Sequence, residues 1–288
     1  MSRPPGDRVL RAISDDGAFR VITVDTTRTA RGAIEVQRVE GDLAGLFADL
    51  VTASVIVRET MSPDLRVQTI LQAEDHKSRM IADAHPDATT RGLVHLAGDA
   101  GGRFDLGPEA RLQVARTLHN GGLQQGVVAV PEDSGISGAL MAYMQSSEQV
   151  ISFVSVGAHM REGEVVAAGG YIVQLLPEVG EGPLMVMTER LHDFPPMTRL
   201  LAEGKAEPRA LLSELLYGMP HTELAESELR FGCNCSEERV LSGIATLPRR
   251  DVKELYDKGE VLEIACDFCR REYRIEPERL RGLLGLSN

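Results

Sequence analysis

The residue types able to do chemistry in this sequence are concentrated in four positions. Its only cysteines, Cys233, Cys235, Cys266 and Cys269, all fall in the last fifth of 288 residues. A thiolate is a soft metal ligand and a nucleophile toward oxidants. In a reducing compartment, clustered cysteines therefore point to metal binding or redox chemistry rather than to long-lived disulfides. Cys233-Asn-Cys235 and Cys266-Asp-Phe-Cys269 are separated by 30 residues, which suits one Zn²⁺ held tetrahedrally by four thiolates. The second pair has the two-residue spacer of a zinc knuckle. The first is tighter: both thiols can reach one ion, but a disulfide closing so small a ring is strained, and strained bridges belong to labile or regulatory pairs. Arg270 and Arg271 follow Cys269 and Arg239 lies near Cys235, a positive setting that raises the thiolate fraction. Two readings stand here. Spacing alone favours an inert structural Cys₄ ribbon; the tight pair and the arginines point to a zinc-capped thiol switch. A DNA-binding ribbon is disfavoured, because ten lysines and arginines from Cys233 onward face eleven acids and leave no basic surplus for phosphate.

The rest of the chain must position this module. With 43% hydrophobic and 26% charged residues it can bury a real core, built from aliphatic residues because aromatics make up 4% and tryptophan is absent. Thirty-one lysines and arginines against 43 acids give a net charge of −12, which argues against nucleic acid or an anionic membrane as main partner. The longest apolar stretch, Val165 to Leu176, is too short to span a bilayer, and no apolar segment follows the opening Met-Ser-Arg-Pro-Pro-Gly-Asp-Arg. A soluble, cytoplasmic protein is expected.

Strands dominate the first part. Val9 to Ser14 and Phe19 to Val24 flank Asp15-Asp16-Gly17 as a hairpin. Asp42 to Met61 carries apolar residues at helical steps, with Asp42 as the expected N-cap. Strands are expected at Arg66 to Leu71, Arg79 to Ala84, Gly92 to Leu96, Arg111 to Ala115, Gly126 to Val130, Val150 to Val156 and Val165 to Leu176, with a short helix at Ser137 to Ser146. Helices do not alternate regularly with strands, so the fold class is α+β rather than a doubly wound sheet. After Leu176-Pro177-Glu178 the texture turns helical, with amphipathic patterns at Leu184 to Phe194, Met197 to Glu203 and Pro208 to Tyr217. Four of the ten methionines fall here, at Met185, Met187, Met197 and Met219. Helices this short must dock on a neighbour, either as an ordinary subdomain or as a weakly held connector whose apolar faces can be released. The organisation expected is a mainly β-sheet N-terminal domain with packed helices over 1–179, a helical linker over 180–230, and a small Cys₄ zinc-binding domain over 231–288.

Other signals are weak. The glycine-rich stretch Gly98 to Gly107 lacks the Gly-Lys-Ser/Thr ending of a nucleotide cradle. Gly135-Ile-Ser137-Gly-Ala139 lacks the second glycine of a nucleophile elbow. The seven histidines (His76, His85, His95, His119, His159, His192 and His221) are scattered, and no carboxylate is singled out by its setting. No active site emerges.

The cysteine segment carries a resemblance. Phe231-Gly-Cys233-Asn-Cys235-Ser236-Glu-Glu-Arg239, then Cys266-Asp-Phe268-Cys269 and Tyr273, resembles the C-terminal module of the 33 kDa chaperonin family of redox-regulated heat-shock chaperones. Asp7-Arg-Val-Leu-Arg11-Ala12, Ser147-Glu148-Gln149 and Ala168-Gly169-Gly170-Tyr171-Ile172-Val173-Gln174-Leu175-Leu176-Pro177 are also similar to family motifs, so the likeness spans nearly the whole chain. It implies a holdase that works without ATP and is not an enzyme. When reduced, Cys233, Cys235, Cys266 and Cys269 hold one Zn²⁺ and the protein is quiet. When oxidised, Cys233–Cys235 and Cys266–Cys269 disulfides form, zinc is lost and the linker unravels. Unfolding client proteins are then bound, and active molecules pair as homodimers; no nucleotide, nucleic acid or membrane is involved. The alternative is an enzyme with an unidentified N-terminal active site and a purely structural Cys₄ ribbon.

Overall fold

Gly17, with φ +70, closes the turn that Asp16 organises by accepting from Ser14 Oγ and the Ala18 amide, and the flanking alternation of apolar residues zips into the first hairpin. The computed structural model describes residues 6–98, 103–118, 120–177 and 179–284; Met-Ser-Arg-Pro-Pro at the start, residues 99–102 of the glycine-rich stretch, His119 and Glu178 lie outside the described residues. The chain divides between Gly232 and Cys233 into two units.

The larger unit runs β1 (Asp7–Ser14), β2 (Phe19–Asp25), α1 (Thr27–Gln37), α2 (Gly41–Thr60), β3 (Arg66–Gln72), β4 (Arg79–Ala84), β5 (Thr89–His95), β6 (Arg111–Thr117), β7 (Leu123–Ala129), α3 (Gly135–Ser146), β8 (Ser152–Arg161), β9 (Glu164–Leu175), α4 (Glu181–Asp193), α5 (Met197–Ala202), α6 (Pro208–Leu215) and β10 (His221–Phe231). The smaller unit runs α7 (Glu237–Ile244), α8 (Arg249–Asp257), β11 (Leu262–Ala265), β12 (Glu272–Ile275) and α9 (Pro277–Leu283). The fold is α+β. Ten strands form one sheet in the order β7-β6-β3-β4-β5-β10-β1-β2-β9-β8. Every neighbouring pair is antiparallel except β5 with β10, which run parallel through Thr89–Arg230 and Thr90–Phe231.

Two cores lie against this sheet. In the first, α2 is buried at every residue from Leu50 to Glu59, and its Phe47 packs so closely on β5 that a Cβ on Gly92 would sit 2.4 Å from the ring. A helix apolar around most of its circumference needs cover on all sides; Val67, Met80, Leu112, Ile172 and Leu140 contribute to it. In the second core, Leu10, Phe19, Val21, Tyr171 and Val173 of β1, β2 and β9 meet Met187, Met197, Leu200, Leu211, Leu212 and Leu215 of α4–α6. Thr23 Oγ1 donates to the Pro208 carbonyl at 2.8 Å, tying α6 to the sheet. No helix among the described residues is long and apolar enough to cross a membrane.

One helix is absent from the sequence reading and two expectations need correction. Residues 27–37 form α1, although threonines and Gly32 weaken the helical signal; that glycine lets the helix approach Phe231, where an added Cβ would meet the side chain at 2.7 Å. The N-cap of α2 is Glu40, and Asp42 falls in the first turn, where a carboxylate suits the helix dipole. The stretch 180–230 is not helical to its end. His221–Phe231 is strand β10, held by β1 across a register that includes Val9–Ser227 and Ala12–Glu223.

Candidate metal centre

The second cysteine pair sits in the loop of a two-stranded hairpin. Ala265 of β11 pairs with Glu272 of β12, and the six residues between them make a knuckle. Its neck is closed by Cys266 N–H donating to the Arg271 carbonyl at 2.9 Å and Arg270 N–H donating to the Cys266 carbonyl at 2.7 Å. Arg270 takes the left-handed conformation, φ +57, that turns the chain back. The thiol of Cys266 accepts from the backbone amides of Cys269 and Phe268, and that of Cys269 accepts from the Arg271 amide. Backbone donors aimed at both sulfurs are what a thiolate site requires.

The first pair enters from a different element. Cys233-Asn-Cys235 leads straight into α7, whose N-cap Ser236 accepts from the Arg239 amide at 3.3 Å, with Glu237 and Glu238 in the first turn. Glu237 then pairs with Arg279 of α9 at 3.1 Å. A small core of Ile244, Val252, Ile275, Leu280 and Leu284 supports both elements.

Together these elements bring all four sulfurs within 4.8 Å of one another. Cys233 and Cys266 are 3.9 Å apart and Cys235 and Cys269 3.3 Å apart. Four thiolates at tetrahedral metal–sulfur distances of about 2.3 Å have edges of roughly 3.8 Å, so the cluster is of the right size to hold one metal ion. Each cysteine is half-buried, accessible to oxidants and chelators. Burial opposes ionisation of Cys235, but hydrogen bonds from Tyr273, Cys269, Cys233 and Cys266 overcome it and bring its pKa down to about 7. Burial pushes the Cys266 thiol up, and Cys269 up to about 12. Four such groups ionise together only against a compensating cation, so the donor chemistry also fits a bound metal.

Sequence reasoning located all four cysteines but not what acts on Cys235. The strongest pull is the hydroxyl of Tyr273, which donates to Cys235 Sγ at 3.0 Å, rather than Arg239, Arg270 or Arg271. Sequence reasoning also singled out no carboxylate, whereas the larger unit contains several with unusual settings, Asp83 and Asp49 among them. Asp83 is fully buried between Arg66 (2.6 and 2.8 Å), Arg91 (2.9 Å) and His85 (3.1 Å). Burial alone would raise its pKa; the bonds from His85 and Arg66 hold it well below the carboxylate range. Asp49, on α2, has a buried Oδ1 with no hydrogen-bond partner, and burial pushes its pKa up to about 7.

Known proteins share this architecture. A sequence model described as Hsp33 protein matches residues 7–276. The 33 kDa chaperonin of Syntrophotalea carbinolica is 29% identical, with 96% of this chain and 99% of the relative aligned. That of Streptococcus sanguinis is 28% identical over 96% of this chain and 98% of its own. The crystal structure of the Thermotoga maritima 33 kDa chaperonin, an Hsp33 homologue, superposes with a TM-score of 0.80 at 20% identity, covering 98% of each chain; that likeness concerns the fold.

Proposed function

The chain belongs to the Hsp33 family, and from that premise we propose that it is a redox-regulated, ATP-independent holdase. The observation that carries this reading is the convergence of four half-buried sulfurs within 4.8 Å in a unit with little apolar core of its own. In the reduced protein Cys233, Cys235, Cys266 and Cys269 would hold one Zn²⁺. Held there, a zinc ion would neutralise thiolate charge and tie the start of α7 to the β11–β12 loop, and in small modules such binding is largely folding free energy, about 10–16 kcal/mol apparent in zinc-finger peptides.

Oxidation removes the donors. One thiolate attacks hydrogen peroxide, gaining an oxygen while hydroxide leaves, and its partner sulfur displaces that oxygen to close a disulfide. Each pair gives up two electrons to one peroxide, so two peroxides convert four thiols to two disulfides. All four sulfurs are near enough for any pairing; Cys233–Cys235 and Cys266–Cys269 is the pairing the family resemblance implies. Without its thiolates the module would lose its organising centre, and the family resemblance implies that α4–α6 then unravel.

Among those helices α4 is held most weakly. Of its 13 residues Met187 is the one fully buried, while Leu184, Met185 and Val186 are 37%, 65% and 46% exposed. Release of these helices would uncover Leu10, Phe19, Val21, Tyr171 and Val173, an apolar sheet face suited to unfolding clients. The active form is a homodimer in the cytoplasm, and it works by binding rather than turnover. Peroxide with mild heat should convert the purified protein into a suppressor of aggregation of a thermally unfolding client, reversibly by reductant. Oxidised protein that leaves client light scattering unchanged would sink the reading.

A further inference from the structure

We infer that Tyr273 is a positioning residue of the thiol centre: its hydroxyl fixes Cys235 Sγ and sets how firmly that sulfur holds a metal and how readily it is oxidised. The inference rests on the proposed thiol–metal switch. The knuckle amides serve Cys266 and Cys269, which lie on the same hairpin loop. Cys235 arrives from the α7 side and takes a hydrogen bond from β12, 38 positions along the chain, at 3.0 Å. This bond therefore joins the two elements that carry the two cysteine pairs.

Tyr273 is built to hold that bond. It stands opposite Ile264 in the β11–β12 register, and its ring packs against the small core. The Arg271 guanidinium lies 5.8 Å from the ring centroid, so the ring is flanked by core and by a cation. A hydrogen bond donated to a thiolate withdraws electron density from sulfur. It stabilises the charged ligand and makes it a poorer nucleophile toward peroxide. Outer groups that orient metal ligands typically change affinity by about 10–100-fold when removed.

The test uses the full-length protein loaded with Co²⁺ as a spectroscopic probe. Tyr273→Phe keeps the ring and its packing but deletes the donor. Expected are a thiolate-to-cobalt charge-transfer band shifted to lower energy, Co²⁺ affinity about tenfold weaker in chelator competition, and faster peroxide oxidation of Cys235 in the metal-loaded protein, where the unit is folded and the sulfur is already a thiolate, followed by mass spectrometry. Incorporation of 3-fluorotyrosine at position 273, a stronger donor, should move the band the other way. An unmoved band in both variants, with or without a lower melting temperature, assigns Tyr273 to packing alone and overturns the inference while leaving the switch standing. Wild-type protein that fails to bind Co²⁺ through thiolates overturns both.

Discussion

The larger unit buries α2 on all sides from Leu50 to Glu59 and covers the β1–β2–β9 part of its sheet on both faces, whereas the cysteine unit has, among its described residues, five buried apolar side chains in its core, Ile244, Val252, Ile275, Leu280 and Leu284. The first can hold its shape by removing apolar surface from water. The second is of a size at which a core alone rarely suffices and metals or disulfides take over. The difference teaches where a chemical signal can act. Phe47 and Ile56 are sealed in the first core, whereas the four thiols are only half-buried, which is where the proposed reading has an oxidant act. Between the extremes lie α4–α6, packed on a strong sheet through short helices of uneven anchorage.

The largest effect should come from withdrawing the metal under reducing conditions. A strong chelator is expected to abolish amide protection across residues 237–284 while β3, β4, β6 and α2 stay protected, as hydrogen exchange would record. Protection retained in the smaller unit would show that its apolar core suffices and erase the contrast. Next in size is Leu212→Ala in the second core, where a fully buried leucine on α6 should cost about 2–5 kcal/mol. Limited proteolysis should then cut within α4–α6 while the α2 core resists. Cleavage spread evenly through the larger unit would mean the two cores unfold as one.

The smallest effect concerns Asp49. Its folded pKa of about 7 lies above the unfolded value of about 3.9. The contribution of the protonated Asp49 carboxyl to stability is therefore fully present below about pH 4 and is lost as pH rises toward 7, by about 1 kcal/mol per pH unit. Asp49→Asn should flatten that slope, so that the melting temperatures of variant and wild type diverge between pH 5 and pH 7. Parallel curves would mean that the carboxyl ionises freely in the folded unit.

What sequence reveals follows these same distinctions. The hairpins from β1 to β9 were legible because alternation and turn residues are local, and so were the four cysteines, whose type and spacing carry the chemistry. Strand β10 was not, because His221–Phe231 is charged and exposed on most positions and its pairing with β1 is set by contacts more than 200 residues away in sequence. Helix α1 was hidden by Gly32, whose role is a close approach to Phe231. Tyr273 is visible as an aromatic after the last cysteine, but its bond to Cys235 depends on the register of β11 with β12 and on where α7 begins. Asp83 looks ordinary until three strands bring Arg66, Arg91 and His85 around it.

The central claim is that one sulfur cluster both holds the smaller unit together and receives the oxidant. Its most direct test is to count bound zinc and free thiols on the same sample before and after peroxide treatment. The account predicts one zinc with four recoverable thiols beforehand, and afterwards no zinc, no free thiols and two intramolecular disulfides. Zinc that stays bound through oxidation, or thiols that oxidise without releasing it, would contradict the account.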